Sequence, residues 1–85
     1  MEQNVLANYD PLADVLYLSV GEPDCFARSF EDDAGLIWRQ VDGTFVGVTV
    51  PDYEYCWKGR ERELAKRLVA HLPKHVVAQA LASAH

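Results

Sequence analysis

An α+β fold, with an antiparallel sheet of four or five strands and two short C-terminal helices packed on one face, is what this sequence of 85 residues predicts. Three observations lead there. Short apolar runs rich in Val, Leu and Tyr recur up to residue 50, Asp42-Gly43 stands between two alternating segments, and from residue 60 the apolar spacing becomes helical. One domain is expected over residues 1–85, with the sheet in 5–52 and a helical extension in 59–85.

Val5–Tyr9 and Val15–Val20 are strand candidates separated by Asp10-Pro11-Leu12-Ala13-Asp14. Asp before Pro favours a type I turn, because proline presets φ and the Asp side chain can bond the backbone beyond it. In the second strand Leu16, Leu18 and Val20 share one face, and Val15, Tyr17 and Ser19 the other. Gly21-Glu22-Pro23-Asp24 ends that strand. Cys25–Phe30 alternates more weakly, and Glu31-Asp32-Asp33 follows as an acidic turn. That turn lacks the alternating oxygen ligands and closing glutamate of a calcium loop and reads as solvated.

The Asp42-Gly43 hairpin joins Gly35–Gln40 to Phe45–Val50. Its register decides which side chains are buried, since a slip of one residue turns every side chain over. A two-residue loop would set Arg39 opposite Val46, in the middle of a valine row. A three-residue loop, Val41-Asp42-Gly43, sets Trp38 opposite Val46 and Leu36 opposite Val48, and this register is preferred. It gathers Leu36, Trp38, Val46, Val48 and Val50 on a dry face under the first helix, and leaves Ile37, Arg39, Phe45 and Thr49 on the other.

Asp52–Trp57 places Tyr53, Tyr55 and Trp57 at alternate positions and reads as a connector packing its rings over the sheet edge. Gly59 can cap a helix start, after which Leu64, Ala65, Leu68, Val69 and Leu72 repeat at helical spacing. Pro73 must stop or kink that helix, having no N–H to donate. Val76, Val77, Ala80, Leu81 and Ala84 form a second stripe, out of phase with the first. Helices are therefore expected near Arg60–Leu72 and Lys74–Ala82.

With 49% apolar and 25% charged residues, the composition is that of a globular chain rather than a disordered tail or a membrane span. No basic segment followed by an apolar stretch opens the sequence, so the cytoplasm is the expected address. Charge is lopsided: residues 1–55 carry eleven acidic side chains against Arg28 and Arg39, whereas residues 56–85 carry six basic ones against Glu61 and Glu63. The halves can attract each other within the fold or between copies, and the basic helix could meet an acidic partner.

No catalytic constellation at motif spacing, glycine-rich phosphate cradle or zinc-binding pair is legible. His71 and His75 are four apart but straddle Pro73 and have no third ligand, so neither a metal nor a cofactor is called for. Cys25 and Cys56 read as two reduced, half-buried thiols, with a single bridge between them as the alternative. The residues that stand out are the aromatics Tyr53, Tyr55 and Trp57 and the cations Arg60, Arg62, Lys66 and Arg67, which together suit an interaction surface better than a reaction centre.

Asn8–Val20 (NYDPLADVLYLSV) resembles the opening motif of the bacterial small-protein family known as domain of unknown function 2283, in which tyrosine and aspartate are followed by a second aspartate, an apolar residue, leucine and tyrosine. Asp33–Val50 is similar to that family's later Asp-Gly hairpin. The resemblance covers roughly residues 5–52 and departs at Thr49, around Trp38 and after Asp52. It implies a small antiparallel sheet, no established activity and no site residues.

The leading expectation is a non-enzymatic interaction or regulatory module. Alternatives are a small enzyme with a Cys/His site assembled in space, and a nucleic-acid-associated or antitoxin-like regulator using the basic helix, a role less favoured than charge complementarity within the fold. A homodimer through the sheet face bearing Ile37 and Phe45 is also expected, because two short helices can cover one face only.

Overall fold

The computed structural model describes residues 5–21 and 27–83. Strands β1 (Val5–Asp10), β2 (Val15–Val20), β3 (Arg28–Glu31), β4 (Ile37–Val41) and β5 (Thr44–Pro51) precede helices α1 (Tyr53–Trp57), α2 (Glu61–Leu68) and α3 (Lys74–Ser83). The strands form one antiparallel sheet in the order β1-β2-β5-β4-β3, so the α+β class predicted from sequence is the observed one.

The meander is interrupted once: β5, not β3, lies beside β2. Burial explains the exchange. Val48 and Val50 of β5 are buried, which suits a central strand, whereas β3 (RSFE) is exposed along its length and takes an edge. Charged side chains there discourage further strand pairing. Cys25 and Phe26, read above as the start of this strand, lie outside the described residues.

The β4–β5 turn corrects the predicted register. Asp42 and Gly43 have φ of 50° and 80°, the two-residue mirror-image turn rather than a three-residue loop. Val41 pairs with Thr44 and Gln40 with Phe45; beyond a β-bulge the pairs become Arg39 with Gly47 and Trp38 with Val48, leaving Val46 unpaired. The bulge keeps Arg39 off the dry face, as the longer loop would have done. It also turns Phe45 onto that face, 5.3 Å from Trp38 and stacked on His71 at 4.0 Å. Phe45 is therefore not part of the outward face with Ile37.

The core lies between the helices and one sheet face. Leu16, Leu18, Val20, Val48 and Val50 meet Leu64 and Leu68 of α2 and Val76, Val77 and Ala80 of α3, with Leu36 and Trp38 closing one end. Helix α2 stops at Leu68, four residues short of the predicted Leu72, and Pro73 then begins α3 by accepting the N–H groups of Val76 and Val77 through its carbonyl. The opposite face carries Leu6, Tyr17, Ile37, Arg39 and Thr49, with Leu6 60% and Tyr17 43% exposed.

Candidate functional site

The segment predicted as an extended aromatic connector is instead α1. Tyr53 and Trp57, four residues apart, face inward and are buried, while Tyr55 between them is 87% exposed. A five-residue helix cannot persist on its own, and this one is started from elsewhere. Asp52 at its N-cap adopts a left-handed φ of 53° and offers no side-chain bond. Asp14, in the β1–β2 turn, takes that role: its carboxylate accepts the N–H groups of Glu54 at 2.8 Å and Tyr55 at 3.1 Å, and its backbone carbonyl accepts that of Tyr53 at 3.0 Å.

Asp14 also accepts the Tyr9 hydroxyl at 2.7 Å, while Asp10 Oδ1 accepts the N–H groups of Leu12 and Ala13. The Glu54 N–H and then the Tyr9 hydroxyl hold the Asp14 carboxyl below its ordinary value, and the bond to Asp14 pushes the Tyr9 phenol up to about 12. Tyr9 and Asp14 thus join the first hairpin to the helical half, while Asp10 braces the turn between them.

Past α1, Gly59 at φ 79° ends the first helix rather than capping the second; Arg60 occupies the N-cap of α2. The Arg60 guanidinium lies 4.9 Å over the Trp57 ring, donates to the Cys56 carbonyl at 3.1 Å and pairs with Glu63 at 2.7 Å. That pairing holds the Glu63 carboxyl below its usual value. Arg67 reaches back to Asp33 at 3.6 Å. Of the seven residues read as an interaction surface, then, Tyr53 and Trp57 belong to the core and Arg60 and Arg67 are committed to carboxylates, leaving Tyr55, Arg62 and Lys66 outward.

Arg62 and Lys66 border a groove of about 390 Å³ between α2 and α3, floored by Ala65, Val69, Val77, Ala78 and Leu81. Lys74, the first residue of α3, stands on the same rim. A second, polar depression of about 670 Å³ runs from Gly59 to Lys66 around the start of α2. Neither concavity is lined by a cysteine or histidine. Cys56 is a free thiol on α1, exposed rather than half-buried as expected, and Cys25 lies outside the described residues. Among the described residues no cluster of His, Cys, Asp and Glu could hold a metal ion, and no helix is long and apolar enough to cross a membrane.

One residue with a large structural role reads from sequence only as part of a solvated turn. Asp32 accepts the N–H groups of Ala34 and Leu36 on Oδ1 and the indole N–H of Trp38 on Oδ2, each at 2.9 Å. Burial works to raise its carboxyl, yet these bonds and the Arg67 charge hold it below its ordinary value. The available signal was Asp two residues before a small residue and a glycine, a pattern in which the side chain bonds its own turn. Set against family models, curated proteins and solved structures, the chain matches none.

Proposed function

We propose that this protein is a non-enzymatic interaction module that receives a partner in the groove between α2 and α3. One observation carries the reading: Val69 is 42% exposed at the end of α2, in an apolar groove whose rim is cationic. An apolar side chain left in a concavity between two helices is suited to docking.

The proposal includes a cytoplasmic setting and kinship with the bacterial domain of unknown function 2283 family, supported by the Tyr9-Asp10 and Asp14 motif and the Asp42-Gly43 hairpin. It also includes pairing of two copies through the open sheet face, supported by the exposure of Leu6 and Tyr17 there.

Affinity capture from the source cell with the wild type and with Val69→Glu, each confirmed folded by circular dichroism, tests the docking surface. A single protein held at fixed stoichiometry by the wild type and lost by the variant is the expected result. Equal recovery by both, or nucleic acid that is shed steeply with added salt, overturns the reading.

A further inference from the structure

Every cation after residue 55 is either paired with a carboxylate or stands on the rim of the α2–α3 groove. Lys58 pairs with Glu54, Arg60 with Glu63 and Arg67 with Asp33. Arg62, Lys66 and Lys74 make no contact ion pair among the described residues, and these are the cations that border the groove. We infer that the occupant of this groove is an amphipathic helix of a partner protein whose apolar stripe is flanked by carboxylates. The inference rests on the groove being the docking surface, and it adds the chemistry of what docks.

The shape suits a helix. Ala65 and Val69, the C-cap, lie four residues apart along α2, and Ala78 and Leu81 lie three apart on α3, so each wall presents apolar surface over the buried Val77. The small Ala65 and Ala78 leave room for a third helix to approach closely, in the manner of a helix laid into a groove and read by side chains at helical spacing.

The charge specifies the flanks. Arg62 and Lys66 stand one turn apart on the α2 wall, and Lys74 sits in the first turn of α3, which holds no acidic residue. A cation at that end opposes the helix dipole, leaving uncompensated positive potential beside the groove that a carboxylate would relieve. The whole chain carries a net charge of −5, which disfavours an extended polyanion such as nucleic acid or an anionic bilayer. A short acidic helix is small enough to lie along Arg62, Lys66 and Lys74 alone.

The test uses two fluorescent synthetic peptides, one with leucines at helical spacing flanked by glutamates and the other with lysines in place of the glutamates. Anisotropy reads affinity and amide chemical shifts of the full chain read location. The glutamate peptide should bind at least about tenfold more tightly, the equivalent of a few rim charge pairs. Its shifts should centre on Val69 and Ala78, and Arg62→Glu with Lys66→Glu should reverse the preference. Should Val69→Glu perturb folding, Ala78→Glu, at an exposed position of α3, blocks the same groove.

Equal affinity for the two peptides, with shifts still centred on Val69 and Ala78, overturns the carboxylate assignment while leaving the docking surface intact. Shifts at those residues caused by phosphatidylglycerol vesicles or by raising the protein's own concentration, with neither peptide binding, also overturn it in favour of a membrane or a second copy. Absence of any effect at the groove, together with unchanged cellular capture by Val69→Glu, removes both the inference and the reading beneath it.

Discussion

The carboxylate of Asp14 accepts the backbone N–H of Glu54 at 2.8 Å, and through this bond the first hairpin starts a helix that lies 40 residues further along the chain. The arrangement matters because α1 brings Tyr53 and Trp57 into the core, with Tyr9 packed edge-on against Tyr53 at 5.6 Å. Asp14→Ala should loosen α1 first and lower the thermal midpoint; Asp14→Asn, which keeps one acceptor oxygen, should do so less. Amide exchange checks the location. Glu54 and Tyr55 should accelerate more than any amide of α3, and unchanged exchange at both would contradict the capping role.

The same network sets a pH dependence at both ends of the scale. Asp14 and Asp32 have folded values below their ordinary 3.8, so their stabilisation is complete above that value and is lost as pH falls through the depressed folded values. Tyr9 has the opposite sign: its contribution is complete below 10.0 and is lost as pH rises toward about 12. Midpoints should therefore be level from neutrality to about pH 5 and fall below about pH 4. Asp14→Asn should flatten the acid limb and Tyr9→Phe the alkaline limb. An acid limb of equal steepness in wild type and Asp14→Asn would assign it to other carboxylates.

Gly47 is fixed by the close approach of neighbouring strands, not by its φ. A Cβ placed there would stand 2.8 Å from the Leu18 carbonyl oxygen and 3.4 Å from the Arg39 guanidinium. That guanidinium crosses β5 at Gly47 to donate to Ser19 Oγ at 3.3 Å, linking β4 to β2. The carbonyl is backbone and cannot swing aside, so Gly47→Ala should cost about 1–3 kcal/mol. Urea denaturation measures it. A loss below about 0.5 kcal/mol would show that the two strands separate more easily than the packing implies.

How much of this was legible in the sequence depends on how far each determinant reaches along the chain. Turn chemistry is local, so the presence of the Asp10-Pro11 and Asp42-Gly43 hairpins and of a break before α3 could be read directly, whereas the length of the Asp42-Gly43 loop and the end of α2 at Leu68 could not. The bulge at Val46 could not, because it balances Arg39 leaving the core against Phe45 and Trp38 entering it across two strands. Nor could the placing of β5 beside β2, which depends on burying Val48 and Val50 from both sides. In α1 the alternation of aromatics hid a second spacing, since Tyr53 and Trp57 are also one helical turn apart. The basic residues of α2 were legible as a cluster, but which were free was not, because Arg67 finds Asp33 in a distant loop.

Asp32 gives the sharpest contrast between an acidic turn read as solvated and its role in the fold. Its partners Leu36 and Trp38 are 0% and 1% exposed, so removing the carboxylate strands their N–H groups away from water. Asp32→Ala should cost about 3 kcal/mol, mainly through those unsatisfied donors. The neighbouring Asp33→Ala loses only an exposed pairing with Arg67 and should cost well under about 1 kcal/mol. Chemical denaturation of the two variants side by side checks this. Equal costs would show that the indole and backbone bonds contribute little.

Self-association separates Phe45 from the residues of the open face. Phe45 lies under His71 and against Trp38, so Phe45→Glu should place a charge in the core margin and destabilise the chain, making it a poor probe of pairing. Tyr17 lies on the face away from the helices, opposite Asn8 on one side and Thr49 on the other, and is 43% exposed. With Leu6 and Ile37 it offers apolar surface that a second copy would bury, at roughly 25 cal/mol per Å². Light scattering at micromolar concentration should give twice the mass of a single chain for the wild type and a single-chain mass for Tyr17→Glu, whose thermal midpoint should otherwise resemble that of the dilute wild type. A single-chain mass for the wild type across the accessible concentrations would rule out pairing through this face, and a dimer unaffected by Tyr17→Glu would place the contact elsewhere.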